Sequence, residues 1–171
     1  AMDNNDEKDG YKNNTLVANY GYKFTDKLKL ENNFRIADSY LQYDTLDDKN
    51  VIAEDTDEQK QMEFSGSAAL IYKPNEQFTN RLTYSTYSID RIYNTYDDDQ
   101  DEYKGDRKAL TYSGNYNIDL DSNIVFGLDT DFDQIDYNKD LLTKIRKEGF
   151  QTNSAYIDYQ KRFTKNLYGT L

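Results

Sequence analysis

Thr15-Leu16-Val17-Ala18-Asn19-Tyr20-Gly21-Tyr22-Lys23-Phe24, then Thr25-Asp26-Lys27, then Leu28-Lys29-Leu30-Glu31-Asn32-Asn33-Phe34-Arg35-Ile36, reads as two strands joined by a tight polar turn. Before the polar triplet, the even positions Leu16, Ala18, Tyr20, Tyr22 and Phe24 are apolar or aromatic. The odd ones include Thr15, Asn19, Gly21 and Lys23. After it, Leu28, Leu30, Phe34, Ile36 and Tyr40 alternate with Lys29, Glu31, Asn33, Arg35 and Ser39. A period of two puts every second side chain on one side of an extended chain, so each run predicts a strand with one apolar and one wet face.

The alternation recurs along the rest of the chain. Phe64, Gly66, Ala68, Leu70 and Tyr72 predict a third strand, and Phe78, Leu82 and Tyr84 against Thr79, Arg81 and Thr83 a fourth. Beyond Thr86 the apolar phase moves to Tyr87, Ile89 and Tyr93, which predicts a bulge there or emergence from an apolar layer. Leu110 to Ile118 and Ile124 to Phe132 predict the fifth and sixth strands. Ala155, Ile157, Tyr159 and Phe163 mark the seventh, and an eighth begins at Asn166.

Connections alternate between short and long. Short polar turns are expected near 25–27, 74–77, 120–122 and 164–165, and long acidic loops over 44–61, 96–107 and 138–147. Steps from Asp26 to Asn75, Asp121 and Lys165 are 49, 46 and 44 residues, each one hairpin plus its loop. The expected fold is all-β: an antiparallel up-and-down meander of about eight long strands over 13–171, forming part of a larger transmembrane β-barrel. Residues 1–12 are expected to be a disordered or expression-derived N-terminus. A soluble sandwich also alternates in and out, but the strand lengths and strict long-short alternation favour the barrel.

Composition narrows the chemistry. The chain has 171 residues, 17 of them Tyr and 8 Phe, with neither Cys nor His. Thiolate metal sites, cysteine nucleophiles and histidine general bases are therefore excluded, and no enzymatic activity is expected. Charges sum to 21 − 32 = −11, so phosphate-backbone attraction fails and nucleic acid is not an expected partner. No run approaches the 20 or so apolar residues of a membrane helix, whereas barrel strands need only about 9–11 alternating ones.

The apolar face is greasiest beside the short turns and grows polar toward the long loops. Leu82 and Tyr84 yield to Ser88 and Asp90, and Ile124 to Leu128 yield to Thr130 and Gln134. An apolar band of about 25 Å edged by aromatics is what a lipid-facing barrel exterior requires. Tyr22, Phe24, Tyr72, Phe78, Tyr116 and Phe163 would form the turn-side girdle.

Candidate site residues lie toward the other end. Tyr87, Tyr93, Tyr96 and Tyr103 at the loop bases, with Arg91 and Arg107, form the expected ligand-facing surface; cross-strand packing is the plainer role for the aromatics. Asp97, Asp99 and Asp101 in one acidic run, and Asp129, Asp131 and Asp133 in another, offer the hard oxygen ligands that suit calcium. The second run has Gln134 where a calcium loop needs Gly; three carboxylates on one strand face also make a hydrated wall.

Leu110-Thr111-Tyr112-Ser113-Gly114-Asn115-Tyr116 with Asn123-Ile124-Val125-Phe126-Gly127-Leu128-Asp129 is similar to a strand pair of TonB-dependent outer-membrane receptors, particularly the cobalamin-receptor-like branch. Ser154-Ala155-Tyr156-Ile157-Asp158-Tyr159-Gln160 and Asn166-Leu167-Tyr168-Gly169-Thr170-Leu171 resemble the following pair. The resemblance implies a barrel of about 22 strands with a plugged lumen, importing a metal chelate or cobalamin-type ligand with energy from a TonB-type inner-membrane coupler. Its partners would be outer-membrane lipid, a plug and the remaining barrel strands. This stretch would be a mid-barrel fragment, not transport-competent by itself and prone to self-association through open strand edges. A soluble or cell-surface binding or adhesion module with calcium-holding acidic loops is the alternative from a different class.

Overall fold

The computed structural model describes residues 10–46, 52–94, 100–139 and 143–171. Eight strands follow one another: β1 Tyr11–Lys23, β2 Leu28–Leu46, β3 Ile52–Tyr72, β4 Phe78–Asn94, β5 Gln100–Asn117, β6 Ser122–Lys139, β7 Thr143–Thr164 and β8 Leu167–Thr170. They form one antiparallel sheet in sequence order, an up-and-down meander with no crossover and no pairing between β1 and β8. The architecture is therefore a single open layer. Among the described residues no second layer faces it, so they form no sandwich.

Each short turn is closed by a side chain that mimics a backbone turn, the reason Thr, Asn and Asp favour such places. Thr25 Oγ1 accepts from the amides of Lys27 and Leu28 at 3.2 and 3.1 Å, and Asn75 Oδ1 from those of Gln77 and Phe78 at 3.1 and 2.9 Å. Asp119 Oδ1 accepts from the Asp121 amide at 2.8 Å, and Thr164 Oγ1 from that of Asn166 at 3.3 Å. With the turns fixed, strand register follows.

That register aligns the apolar positions. Tyr22 pairs with Leu30, Leu30 with Leu70, Leu70 with Leu82, Leu82 with Tyr112, Tyr112 with Leu128 and Leu128 with Ala155. One row of side chains thus crosses seven strands on one face. Neighbouring rows on that face carry Leu28, Tyr72, Phe126 and Ile157 on the turn side and Tyr20, Ala68, Tyr84 and Leu110 on the loop side. These side chains remain uncovered: Leu16 and Tyr20 are each 59% exposed and Leu82 44%. The buried apolar residues among those described are Ala37, Ala69 and Ile71, all on the opposite face, and no large side chain is fully buried.

Three expectations change. Of the loops expected over 44–61, 96–107 and 138–147, residues 52–61, 100–107 and 143–147 belong to strands, as do 44–46 and 138–139. Hydrogen-bond ladders need no apolar side chains, and charges can be matched across and along strands: Lys60 pairs with Glu58 at 3.4 Å, and Lys104 with Glu102 at 2.5 Å and Asp90 at 3.7 Å. Tyr11 and Lys12, placed in the expected N-terminal tail, open β1 against Leu41 and Tyr40. Of the two readings of the apolar shift after Thr86, the bulge does not occur: β4 pairs without a break from Asn80 to Asn94 with β3, and from Phe78 to Asn94 with β5. The described bulges lie instead at Asp44/Leu46, Tyr137/Asn138 and Arg162/Thr164.

Candidate functional site

The sheet is apolar on opposite faces at its two ends. In the half nearest the short turns, the even positions of β1 to β6 and the odd ones of β7 make the apolar face. Its one internal amide in the Tyr72 row, Asn80, accepts a hydrogen bond from the Tyr112 hydroxyl at 2.7 Å. Toward the long loops the same face carries Glu58, Lys60, Asp90, Glu102, Lys104, Asp106 and Asp136. The odd face inverts in the opposite sense, from Ser67, Thr83, Ser85 and Thr111 near the turns to Tyr87, Ile89, Tyr93, Tyr103, Ile135 and Tyr137 near the loops. Pairing runs straight through, so the phase change on β4 lies on an unbroken strand.

The apolar band also slides across the register. Its upper ends on β1, β2 and β3 are Leu16, Ile36 and Phe64, which share one row. On β4 and β5 they are Tyr84 and Leu110, mutual partners. Phe64 pairs with Ser88, so the edge has dropped by 88 − 84 = 4 residues. On β6 and β7 the ends are Leu128 and Ala155, again partners. Leu110 pairs with Thr130, a further drop of 130 − 128 = 2. Over the six steps from β1 to β7 the edge drops by six residues, an average of one per strand. With about 3.3 Å per residue and 4.8 Å between strands, a level layer leaves that trace on strands tilted by roughly 35°.

On the odd face, near the turns, charges are matched both across strands and along one strand. Arg35 meets Glu63 at 2.8 Å, Arg81 meets Glu31 at 3.0 Å, and Lys29 meets Glu31 at 2.6 Å. Asn33 donates to Ser67 Oγ at 2.7 Å.

Five of the six expected ligand-facing residues converge on this face. Tyr87 pairs with Arg107, Arg91 with Tyr103 and Tyr93 with Asp101. Arg91 donates through Nε to Gln61 Oε1 at 2.6 Å and through Nη1 to the Tyr93 hydroxyl at 3.1 Å, with its guanidinium 6.0 Å from the Tyr93 ring centroid. Tyr96 lies outside the described residues. Sequence reasoning missed Gln61, Tyr137 and the two isoleucines flanking Gly105, Ile89 and Ile135. The apolar phase that moved on β4 moves likewise on β6 at Ile135 and Tyr137, and that repeat is the signal for them.

The carboxylates divide differently. Asp97 and Asp99 lie outside the described residues, and Asp101 Oδ2 accepts from the Tyr137 hydroxyl at 2.9 Å. Asp129, Asp131 and Asp133 follow one another along β6, with alternate Cα atoms about 6.6 Å apart, too extended to converge on an ion held at about 2.4 Å. Arg107 lies 2.9 Å from Asp131 and 3.7 Å from Asp133, and Asp129 accepts from Ser154 Oγ at 3.3 Å. Among the described residues no group of three or more such ligands could hold a metal ion.

Beyond the band on the even face, hydrogen bonding from Lys104 first, then from Asn138, holds the Glu102 carboxyl below the usual 4.5 of a glutamate, against the opposing effect of burial. Glu102 in turn raises Lys104. A depressed carboxylate contributes stability above its ordinary range, lost as pH falls through the folded value; a raised lysine contributes below 10.5 and loses it in more alkaline solution. An NMR titration should therefore place the Glu102 midpoint below 4.5, and Lys104→Met should move it upward. An unmoved midpoint in the variant would show that Lys104 is not the cause.

No protein-family model matches the chain, and no curated protein matches it with significance.

Proposed function

We propose that this chain is wall of an outer-membrane β-barrel, its even face in the turn-side half against lipid and its odd face lining the lumen. The observation that carries the reading is the diagonal apolar band on a sheet with no covering layer. Strands of such barrels tilt by about 35–45°, and the drift corresponds to roughly 35°. On β3 the band from Phe64 to Tyr72 is about 26 Å long, or roughly 22 Å measured along the membrane normal at that tilt. Beyond it the outer surface turns charged, as a wall rising into water requires, while the inner surface turns aromatic.

The resemblance of the Leu110 to Asp129 hairpin to TonB-dependent receptors carries the proposal one step further. On that reading the parent imports a metal chelate or cobalamin-type ligand, drawing on a TonB-type coupler. The aromatic and arginine rows around Tyr87, Arg91, Tyr93 and Tyr103 are then the lumen surface that the ligand meets. The free edges of β1 and β7/β8 are where neighbouring wall strands pair; without them, a second copy takes their place. A soluble adhesion module would need a second sheet over Leu70 and Leu82.

The chain has no cysteine, so single cysteines on β4 can carry spin labels without interference. In lipid vesicles, labels at Leu82 and Tyr84 should be reached by oxygen and shielded from a water-soluble nickel chelate. Labels at Thr83 and Ser85 should show the reverse. Equal access of the chelate to all four would sink the wall reading.

A further inference from the structure

Among the described residues, Arg35, Arg81, Arg107 and Arg162 each meet a carboxylate at 2.8 to 3.0 Å, whereas Arg91 meets none. Its two partners are neutral, the Gln61 amide oxygen at 2.6 Å and the Tyr93 hydroxyl at 3.1 Å. Glu63, two residues along β3 from Gln61, is already taken up by Arg35 at 2.8 Å and by the Gln61 amide at 2.5 Å. A guanidinium carries five N–H donors; with two engaged, three on Arg91 have no partner among the described residues. The side chain is half-buried and held in one orientation, with its charge unmatched.

In the next odd row toward the turns, Ile89, Gly105 and Ile135 are neighbours on β4, β5 and β6. Gly105 lets Ile89 lie across β5, since a β-carbon there would stand 3.1 Å from Ile89 Cγ2. An apolar floor therefore lies about 6.6 Å along the strand from the Arg91 position, with Tyr103 in the Arg91 row above it and Tyr87 in the row below. We infer that this place binds an aromatic carboxylate, the carboxylate accepting from the unengaged N–H groups of Arg91 and the ring lying on Ile89 and Ile135 between Tyr103 and Tyr87. A carboxylate matches the guanidinium fork with two parallel hydrogen bonds, and rings pack on tyrosine faces and edges. An inorganic anion would meet Arg91 and leave the floor bare; a neutral ring would cover the floor and leave the charge unmatched. The inference rests on the lumen reading above and names the ligand chemistry of that surface.

Equilibrium dialysis of 2-naphthoate and of its neutral analogue 2-naphthalenemethanol against the whole chain in lipid vesicles tests it, with uptake by protein-free vesicles subtracted. Naphthoate should bind about tenfold more tightly, the contribution of one charge-assisted pair. Arg91→Gln should remove that advantage and leave the alcohol bound as before, which also shows the sheet intact. Arg91→Lys should restore only part of it, having the charge without the fork. Gly105→Val should weaken both probes by lifting Ile89 off β5. Arg81→Gln, whose guanidinium is already matched to Glu31, should leave both bound as in the unchanged chain. Absence of naphthoate binding, equal binding of the two probes, an advantage surviving in Arg91→Gln, or displacement of naphthoate by equimolar acetate would overturn the site. Spin labels on β4 in the same vesicles separate the two levels: oxygen access at Leu82 with chelate access at Thr83 leaves the wall reading standing after such a failure, and loss of that contrast brings down both.

Discussion

Leu82→Arg should move the chain out of lipid vesicles, whereas Thr83→Arg, one residue along, should leave it inserted. Leu82 sits in the row that runs from Tyr22 to Ala155, between Leu70 and Tyr112, and nothing in the sheet covers it. An arginine at the midplane of a barrel's lipid face costs about 2–4 kcal/mol, or roughly thirty- to nine-hundredfold in the insertion equilibrium. Thr83 faces the other way, among Glu31, Ala69, Thr111 and Asp129, where an added cation meets carboxylates and water. Vesicle flotation combined with urea-driven release reads both. Similar midpoints for the two variants would mean that the even face does not meet hydrocarbon.

Gly114→Val should weaken the sheet by about 1–2 kcal/mol through the Phe126 ring. Gly114 is buried opposite Phe126, and a β-carbon there would lie inside the ring's contact distance, with two ring carbons at 2.8 Å. Phe126 stacks on Phe78 at 6.3 Å and lies tilted against Tyr112 at 6.2 Å. Pushing it aside loosens both contacts, each worth roughly 0.5–1.5 kcal/mol. Removing a strand glycine returns part of this through lower unfolded-state entropy, about 0.5–1 kcal/mol, so the net stays destabilising. In a Phe126→Ala background the same change should cost little or become favourable. Equal costs in both backgrounds, from denaturant midpoints in detergent, would show that the glycine's role is unrelated to the ring.

Much of this architecture was legible beforehand because its determinants are local. The turn at Thr25 to Lys27 needs only one hydroxyl within reach of two amides. The acidic stretches mislead because dense charge suggests a solvated loop. Glu58, Lys60, Glu102 and Lys104 instead sit on paired strands with their charges matched, and charge density by itself says nothing about the backbone ladder. The site was half visible. Aromatics and arginines of β4 and β5 could be named one by one, but that Arg91 faces Gln61, or that Arg107 lies beside Asp131, depends on strands 24 to 30 residues away.

The period of two, the oily face of each strand and the places where the tight turns close are readable from local residues alone, since each follows from neighbouring side chains and their φ/ψ preferences. Long-range pairing alone shows that seven separate stripes join into one oblique band, that among the described residues no second layer covers it, and that the inversion on β4 needs no bulge. Those properties belong to register. A ladder of hydrogen bonds between distant segments sets it, and slipping a strand by one residue would turn its whole apolar set to the other side.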